Sequence, residues 1–187
     1  MAISLSIRVL DVGSIEEIRK MLRMFGASFD DEEAYCARQP DDEYLQQLLL
    51  NPNFVAIVAI SGTEVLGALA GYVLPKFEQS RSEFYIYDLA VVETHRRQGI
   101  ATALVEEIRK QASQRGIYVI FVQADHADDA AVALYTKLGI REDEHAVAPA
   151  LHSAQHRETN NQWVAPKGES VRQDKATKGP ITGTIAA

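Results

Sequence analysis

Phe84-Tyr85-Ile86-Tyr87-Asp88-Leu89-Ala90-Val91-Val92, followed at once by Glu93-Thr94-His95-Arg96-Arg97-Gln98-Gly99-Ile100-Ala101, is the stretch that decides the fold. Its first nine residues are aromatic or aliphatic except for one carboxylate, the composition of a buried strand. Its second half opens a helix: Ile100, Leu104, Ile108 and Ala112 share one stripe, Ala101 and Val105 adjoin it, and Gly116 marks the end. A helix N-terminus leaves several N–H groups unpaired and carries partial positive charge, so it can receive a pyrophosphate. Gly99 lets the backbone approach a phosphate closely, Ala101 keeps the next turn bare, and Arg96 and Arg97 add counter-charge. The spacing fits an R/Q-x-x-G-x-G/A loop with Arg96, Gly99 and Ala101 at its defined positions. Basic residues before a glycine at a helix start also occur where nothing binds.

Working outward toward the N-terminus, two apolar runs, Phe54 to Ile60 and Val65 to Leu74, are joined by Ser61-Gly62-Thr63-Glu64 and read as an antiparallel hairpin. With Phe84 to Val92 they make a three-stranded meander. Ile3 to Val9 alternates as a strand with one buried face. Ser14 is placed to cap a helix through Ile15, Ile18, Met21, Leu22 and Phe25, with Gly26 as its stop. Asp30 to Glu33 reads as a loop or helix cap, and Asp41 opens a second short helix that ends before Pro52. Toward the C-terminus, Ile117 to Val122 reads as a buried strand, Ala130 to Leu138 as a short helix stopped by Gly139, and Ile140 as the start of a last strand. A meander followed by a βαβ crossover implies an α/β fold with a mixed sheet and helices on both faces. Residues 1–145 form the expected domain. From Ala146 to Ala187 the chain is polar and short of periodicity, with Trp163 and Val164 as an apolar anchor, and is expected to be a loosely ordered extension.

Composition narrows the function. The chain has 187 residues, enough for one buried core, and its 47% hydrophobic and 24% charged content is ordinary for a globular protein. No stretch approaches the roughly 18 apolar residues of a membrane span, and the first residues lack the pattern of a secretory signal, so a cytoplasmic protein with no membrane role is expected. The single cysteine, Cys36, cannot form an internal disulfide and has no base beside it in sequence. The formal net charge is −7; residues 146–187 hold five Lys/Arg and three Asp/Glu, which leaves 14 against 23, a net of −9, in the preceding segment. An acidic body disfavours nucleic acid and favours cationic partners, although it also serves simple solubility.

The anion loop follows a meander strand and lacks G-x-G-x-x-G, which argues against a dinucleotide fold; the Gly-Lys-Ser/Thr of a P-loop is also missing. The segment resembles the coenzyme A pyrophosphate loop of the GNAT acetyltransferase superfamily. The runs ALAGYVLPKFEQSRSEFYIYDLAV, HRRQGIATAL and YVIFVQADHADDAAVALYTKLGIRE resemble the gentamicin-type aminoglycoside 3-N-acetyltransferases over roughly residues 1 to 145, most tightly 67 to 142. The resemblance implies the GNAT fold, acetyl-CoA as co-substrate, and acetylation of the 3-amino group of a cationic aminoglycoside such as gentamicin. It also admits a homodimer. This chain departs from the family after Ile140, where Asp143-Glu144-His145-Ala146-Val147-Ala148-Pro149 and the long extension replace an apolar, aspartate-containing last strand.

Acyl transfer to an ammonium-bearing sugar needs the amine deprotonated, the thioester oxyanion stabilised and the departing thiolate protonated. Asp88 is the candidate base. It interrupts an apolar strand, where an unpaired carboxylate would be costly, so it should face a cleft or a partner. The matching aspartate of the resembling family lies in the acceptor site; a structural aspartate bonded to backbone or arginine is the competing reading. Glu83 could also bind an ammonium, or could be an ordinary strand-end glutamate. The resemblance implies that the backbone of Leu89, Ala90 and Val91 pairs with the pantetheine arm, that Arg96, Arg97, Gln98, Gly99, Ile100, Ala101 and Thr102 hold the pyrophosphate, and that Tyr135 protonates the thiolate. Without it, Tyr135 also fits a core tyrosine. Asp125-His126-Ala127-Asp128-Asp129 is read as no metal site, because it joins a strand to a helix and offers N-caps; Asp125 is assigned to a wall that attracts a polycation. With the only thiol outside every motif, direct transfer in a ternary complex is expected. Two other readings stand beside this one: the same reaction on a polyamine or peptide, and a non-catalytic acyl-CoA-binding domain. Asp88 and Tyr135 together favour an enzyme, since a sensor needs neither.

Overall fold

The apolar alternation of the N-terminal half is resolved into strands that pair edge to edge. The computed structural model describes residues 4–124, 133–134, 141–142 and 181–186. The elements in chain order are β1 (Ser6–Val9), α1 (Ile15–Phe29), α2 (Glu32–Tyr35), α3 (Asp42–Leu50), β2 (Phe54–Ser61), β3 (Glu64–Pro75), β4 (Ser82–Val91), α4 (Ile100–Gln114), β5 (Ile117–Ala124), β6 (Arg141–Glu142) and β7 (Ile181–Ala186). They form one mixed sheet in the order β1-β2-β3-β4-β5-β7-β6. β1 to β4 pair antiparallel, β4 and β5 pair parallel through the α4 crossover, and β7 lies antiparallel to β5. The α/β mixed-sheet expectation holds.

Strand alternation splits the apolar side chains between two faces. Ile57, Leu69, Phe84, Ile86 and Val91 meet the stripe of α4, and Ile100, Leu104, Ile108 and Ala112 are all buried there. On the opposite face Ala56, Val58, Ala68, Ala70 and Ala90 meet Ile18, Met21 and Phe25 of α1 and Leu45 of α3. The alanines let α1 approach the sheet closely, while branched residues fill the space beneath α4. Burying one Leu or Ile contributes about 1.5–3 kcal/mol, so each helix is held chiefly by its stripe.

The local signals were read with three differences. Gly26 does not stop α1, which continues to Phe29 and ends at Asp30 in the left-handed region (φ 55°). Gly26 is instead a contact glycine: a Cβ there would lie 2.9 Å from Cys36 Sγ and 3.3 Å from Tyr35 Cβ, so its bare backbone lets α2 pack on α1. Ser14 sits at the N-cap but does not cap with its side chain; its hydroxyl donates back to Asp11 Oδ1 at 2.8 Å. Asp31 and Asp41 do cap, accepting from the backbone of Ala34 and Tyr44.

The third difference is in the C-terminal extension. Ile181–Ala186 is not loose but a strand, paired with β5 from Val119↔Ala186 to Ala124↔Ile181 and with Arg141–Glu142 on its other side. The alternation Ile181-Thr182-Gly183-Thr184-Ile185 carries the β-branched signature of a strand. The expected helix at Ala130 to Leu138 falls outside the described residues save for Ala133 and Leu134, which are helical. Among the described residues no helix is long and apolar enough to cross a membrane.

Candidate active site

The site begins with an irregularity in β4. Opposite β3, Tyr72 faces Tyr85 and Gly71 faces Ile86, but Ala70 faces Asp88, so Tyr87 is an extra residue in a β-bulge. Phe84 and Ile86 point into the α4 core, and unbroken alternation would send Asp88 after them. The bulge turns the remainder of the strand over: Leu89 and Val91 now face α4, while Asp88 and Ala90 face α1 and α2. Gly71 makes room for it, because a Cβ there would lie 2.4 Å from the Tyr85 carbonyl oxygen and 2.5 Å from the Phe84 ring.

On that face Asp88 is half-buried and has a partner that the sequence reading did not name: Tyr35 of α2 donates its phenol hydrogen to Asp88 Oδ2 at 3.1 Å. Among the described residues neither backbone nor arginine holds the carboxylate, as the competing structural reading required, and it forms no ion pair. Burial pushes the Asp88 carboxyl above its ordinary range, and the Tyr35 hydrogen bond opposes that shift. Burial, then the neighbouring negative charge of Asp88, raises the Tyr35 phenol, which therefore stays a protonated donor. No local pattern announces this pair, whose members are 53 residues apart.

Around Asp88 runs an aromatic row. Tyr72 meets Tyr87 edge-on at 5.9 Å between ring centres, Tyr87 meets Tyr85 edge-on at 6.0 Å, and Tyr85 stacks on Phe121 at 5.0 Å. Tyr87 is 61% exposed, so part of this row is open to solvent.

The bulge also marks where the sheet divides. Parallel pairing of β4 with β5 ends at Ile86↔Val122, whereas β4 continues paired to β3 through Val91. Among the described residues the backbone of Leu89, Ala90 and Val91 thus has a free edge on the β5 side, and Tyr85 Oη donates to Gln123 Oε1 at 3.2 Å beside the last pair.

That free edge leads to the N-terminus of α4. A 3₁₀ turn, Glu93–His95, precedes Arg96, whose Nε donates to the Val91 carbonyl at 3.2 Å. Arg97 (φ 61°) and Gly99 (φ 85°) both adopt left-handed backbone, and Gly99 caps the helix without a side-chain acceptor. The first helical bond runs from Ala103 N–H to Gly99 O at 2.9 Å, which leaves Ile100, Ala101 and Thr102 in the first turn, ahead of the helical ladder. A Cβ on Gly99 would meet nothing within 4 Å, so the space outside the loop is open, and Arg96, Arg97 and Gln98 are exposed around it. Beside Arg96 a cleft of about 550 Å³ is lined by Lys20 and Arg23 of α1 and by Glu64 and Glu93. This loop has the donors, the positive charge and the room that a pyrophosphate needs.

Two assignments behave differently. Glu83 stands at the opposite end of β4 from Val91, where Arg81 (3.0 Å) and Lys76 (3.8 Å) already pair with it. Asp125, His126, Asp128, Asp129 and Tyr135 lie outside the described residues. Among the described residues no cluster of His, Cys, Asp or Glu suited to a metal is present.

Comparison with known proteins completes this picture. Residues 18–140 match the sequence profile of the Acetyltransferase (GNAT) family. The chain belongs to that family. The family is one of acetyltransferases. Among solved structures, the aminoglycoside acetyltransferase HMB0005 from an uncultured soil metagenomic sample is 42% identical, with a TM-score of 0.73 over 85% of this chain and 99% of that one. The aminoglycoside acetyltransferase meta-AAC0020, also from a soil metagenome and solved with sisomicin, is 28% identical, with a TM-score of 0.65 over 87% and 97% of the two chains. A probable N-acetyltransferase family 8 member 5 of Mus musculus is 30% identical over 122 residues, 65% of this chain and 53% of that protein. The chain spans about half the length of the curated relatives it matches.

Proposed function

We propose that this GNAT enzyme acetylates a cationic aminoglycoside, at the 3-amino group of a gentamicin-like antibiotic, by direct transfer from acetyl-CoA. The observation that carries the reading is the half-buried Asp88, turned by the Tyr87 bulge onto an aromatic face beside the point where β4 and β5 separate. Likeness to two aminoglycoside acetyltransferases, one of them 42% identical over nearly its whole length, supports the substrate class.

Each chemical requirement then has a nominee. The amides of Gly99, Ile100, Ala101 and Thr102, with Arg96, Arg97 and Gln98, take the pyrophosphate. The free edge of Leu89 to Val91 pairs with the amide-bearing pantetheine arm and offers an N–H to the thioester oxygen. Asp88 accepts a proton from the acceptor ammonium; its raised pKa makes it a better base than an exposed aspartate. The neutral nitrogen forms a C–N bond to the thioester carbonyl carbon, the C–S bond breaks as Tyr135 gives its proton to the thiolate, and the second proton shed by the acylated nitrogen restores the phenol, while Asp88 passes its own proton to solvent. Tyr87, Tyr85 and Tyr72 present ring faces to the sugars and their ammonium groups, a cation–π setting worth about 0.5–2 kcal/mol per contact. A face joining one carboxylate to several aromatic rings suits a polycation better than a neutral acceptor.

The test is release of thiol from acetyl-CoA with gentamicin, spermidine and a basic peptide as rival acceptors, followed by NMR location of the acetylated nitrogen. Gentamicin should be the preferred acceptor and carry the acetyl group on its 3-amino nitrogen. Turnover confined to spermidine or the peptide, or acetylation at another nitrogen, overturns this assignment.

A further inference from the structure

We infer that Tyr35 is a positioning residue for acetyl transfer, gripping Oδ2 of Asp88 so that Oδ1 is left to receive the proton of the acceptor amine. The inference rests on the reading of Asp88 as the base and adds a component from a different part of the chain.

The geometry assigns Tyr35 this role in three ways. Its phenol is the one side-chain hydrogen bond that Asp88 makes among the described residues, at 3.1 Å. A carboxylate held at one oxygen by a fixed donor loses rotational freedom about its terminal bond, and the second oxygen then points in one direction. Tyr35 itself is fixed: its ring packs at 5.9 Å from Phe25 and 5.7 Å from Phe29 of α1. The one-turn helix that carries it is drawn against α1 by Gly26, where any side chain would crowd Cys36 and Tyr35. A structural tyrosine in this aromatic cluster would need only its ring, yet the hydroxyl is aimed across to a strand 53 residues later.

The groups around Asp88 make the effect readable by titration. Tyr35, with Asp31 behind it, faces the carboxylate from α2 and its cap; Tyr72 faces it from β3, backed by Tyr44 of α3; Tyr85 and Tyr87 flank it on β4. No described cation offsets the burial of Asp88, so the Tyr35 hydrogen bond is the contact that favours its charged form. Removing that bond should raise the Asp88 pKa further.

The variants are Tyr35→Phe, which keeps the ring packing with Phe25 and Phe29, and Asp88→Asn. The first readout is the titration midpoint of the Asp88 carboxyl by ¹³C NMR in wild type and Tyr35→Phe, which needs no turnover. The second is the pH profile of kcat/KM with gentamicin and acetyl-CoA, with kcat and both KM values measured separately. Tyr35→Phe should move the midpoint and the acid limb upward by about one pH unit, the value of a charge-assisted hydrogen bond of about 1.5 kcal/mol. It should also lower kcat about tenfold on the plateau, with KM for acetyl-CoA unchanged. An Asp88→Asn enzyme with wild-type turnover removes the base reading and this inference with it. An inactive Asp88→Asn beside a Tyr35→Phe enzyme whose midpoint and acid limb match wild type overturns the role of Tyr35 alone.

Discussion

Asp88 is costly to the fold in proportion to its use. A buried carboxyl whose pKa is raised binds more protons in the native state than in the unfolded one, between the ordinary aspartate pKa and the higher folded value. Stability therefore falls as pH rises through that window and stays lower above it. Asp88→Asn, which keeps an oxygen for Tyr35, should raise the melting temperature at pH 7, and the gain should shrink toward zero near pH 3. Calorimetry across that range checks it, and a gap independent of pH would refute the linkage. At the other end of the free edge, Arg96 and Arg97 are exposed beside an uncapped helix start. Replacing both with Ala should raise KM for acetyl-CoA about tenfold or more while kcat changes little, since phosphate contacts contribute equally in the ground and transition states. An unchanged KM in steady-state assays would rule out the phosphate role.

At the scale of the element, the bulge in β4 determines which face the carboxylate joins. Deleting Tyr87 would restore regular pairing with β3, leave Asp88 on the α1 face directly after Ile86, and remove the central ring of the aromatic row. We expect that deletion to lower kcat/KM with gentamicin about tenfold through loss of the Tyr87 ring while Asp88 keeps its face; an unchanged kcat/KM in steady-state assays would show that the ring takes no part in acceptor binding. Gly71→Ala attacks the same feature from β3: its Cβ would fall on the Tyr85 carbonyl and the Phe84 ring, both fixed in the core. A loss of about 1–3 kcal/mol or more by urea denaturation is expected; a variant as stable as wild type would mean that the bulge can relax without cost. Helix α4 is an easier case, since its stripe lies wholly in the core, and Leu104→Ala should cost about 2–5 kcal/mol without altering the loop.

Across the whole molecule, the sheet is continuous on one side of the site and divided on the other, and β7 covers the outer edge of β5. Removing residues 181–187 should bare that edge, lower the melting temperature and promote association, read by light scattering. A truncated chain that stays monodisperse with an unchanged melting point would show that β7 contributes nothing to the sheet. Much of this architecture was legible beforehand. Alternation marked β1, apolar runs marked β2 to β5, a helical stripe marked α4, and Arg96, Gly99 and Ala101 fitted the pattern of an anion loop, because each signal lies within a few consecutive residues. Asp88 stood out for the same reason, as one charge in an apolar run. By itself, then, the sequence determined most of the elements, the glycine-led start of α4 and the GNAT likeness. The tertiary structure alone decided the face that Asp88 occupies, its union with Tyr35, the opening between β4 and β5, and the recruitment of Ile181–Ala186. These depend on strand register and on contacts between distant segments, and local periodicity encodes neither.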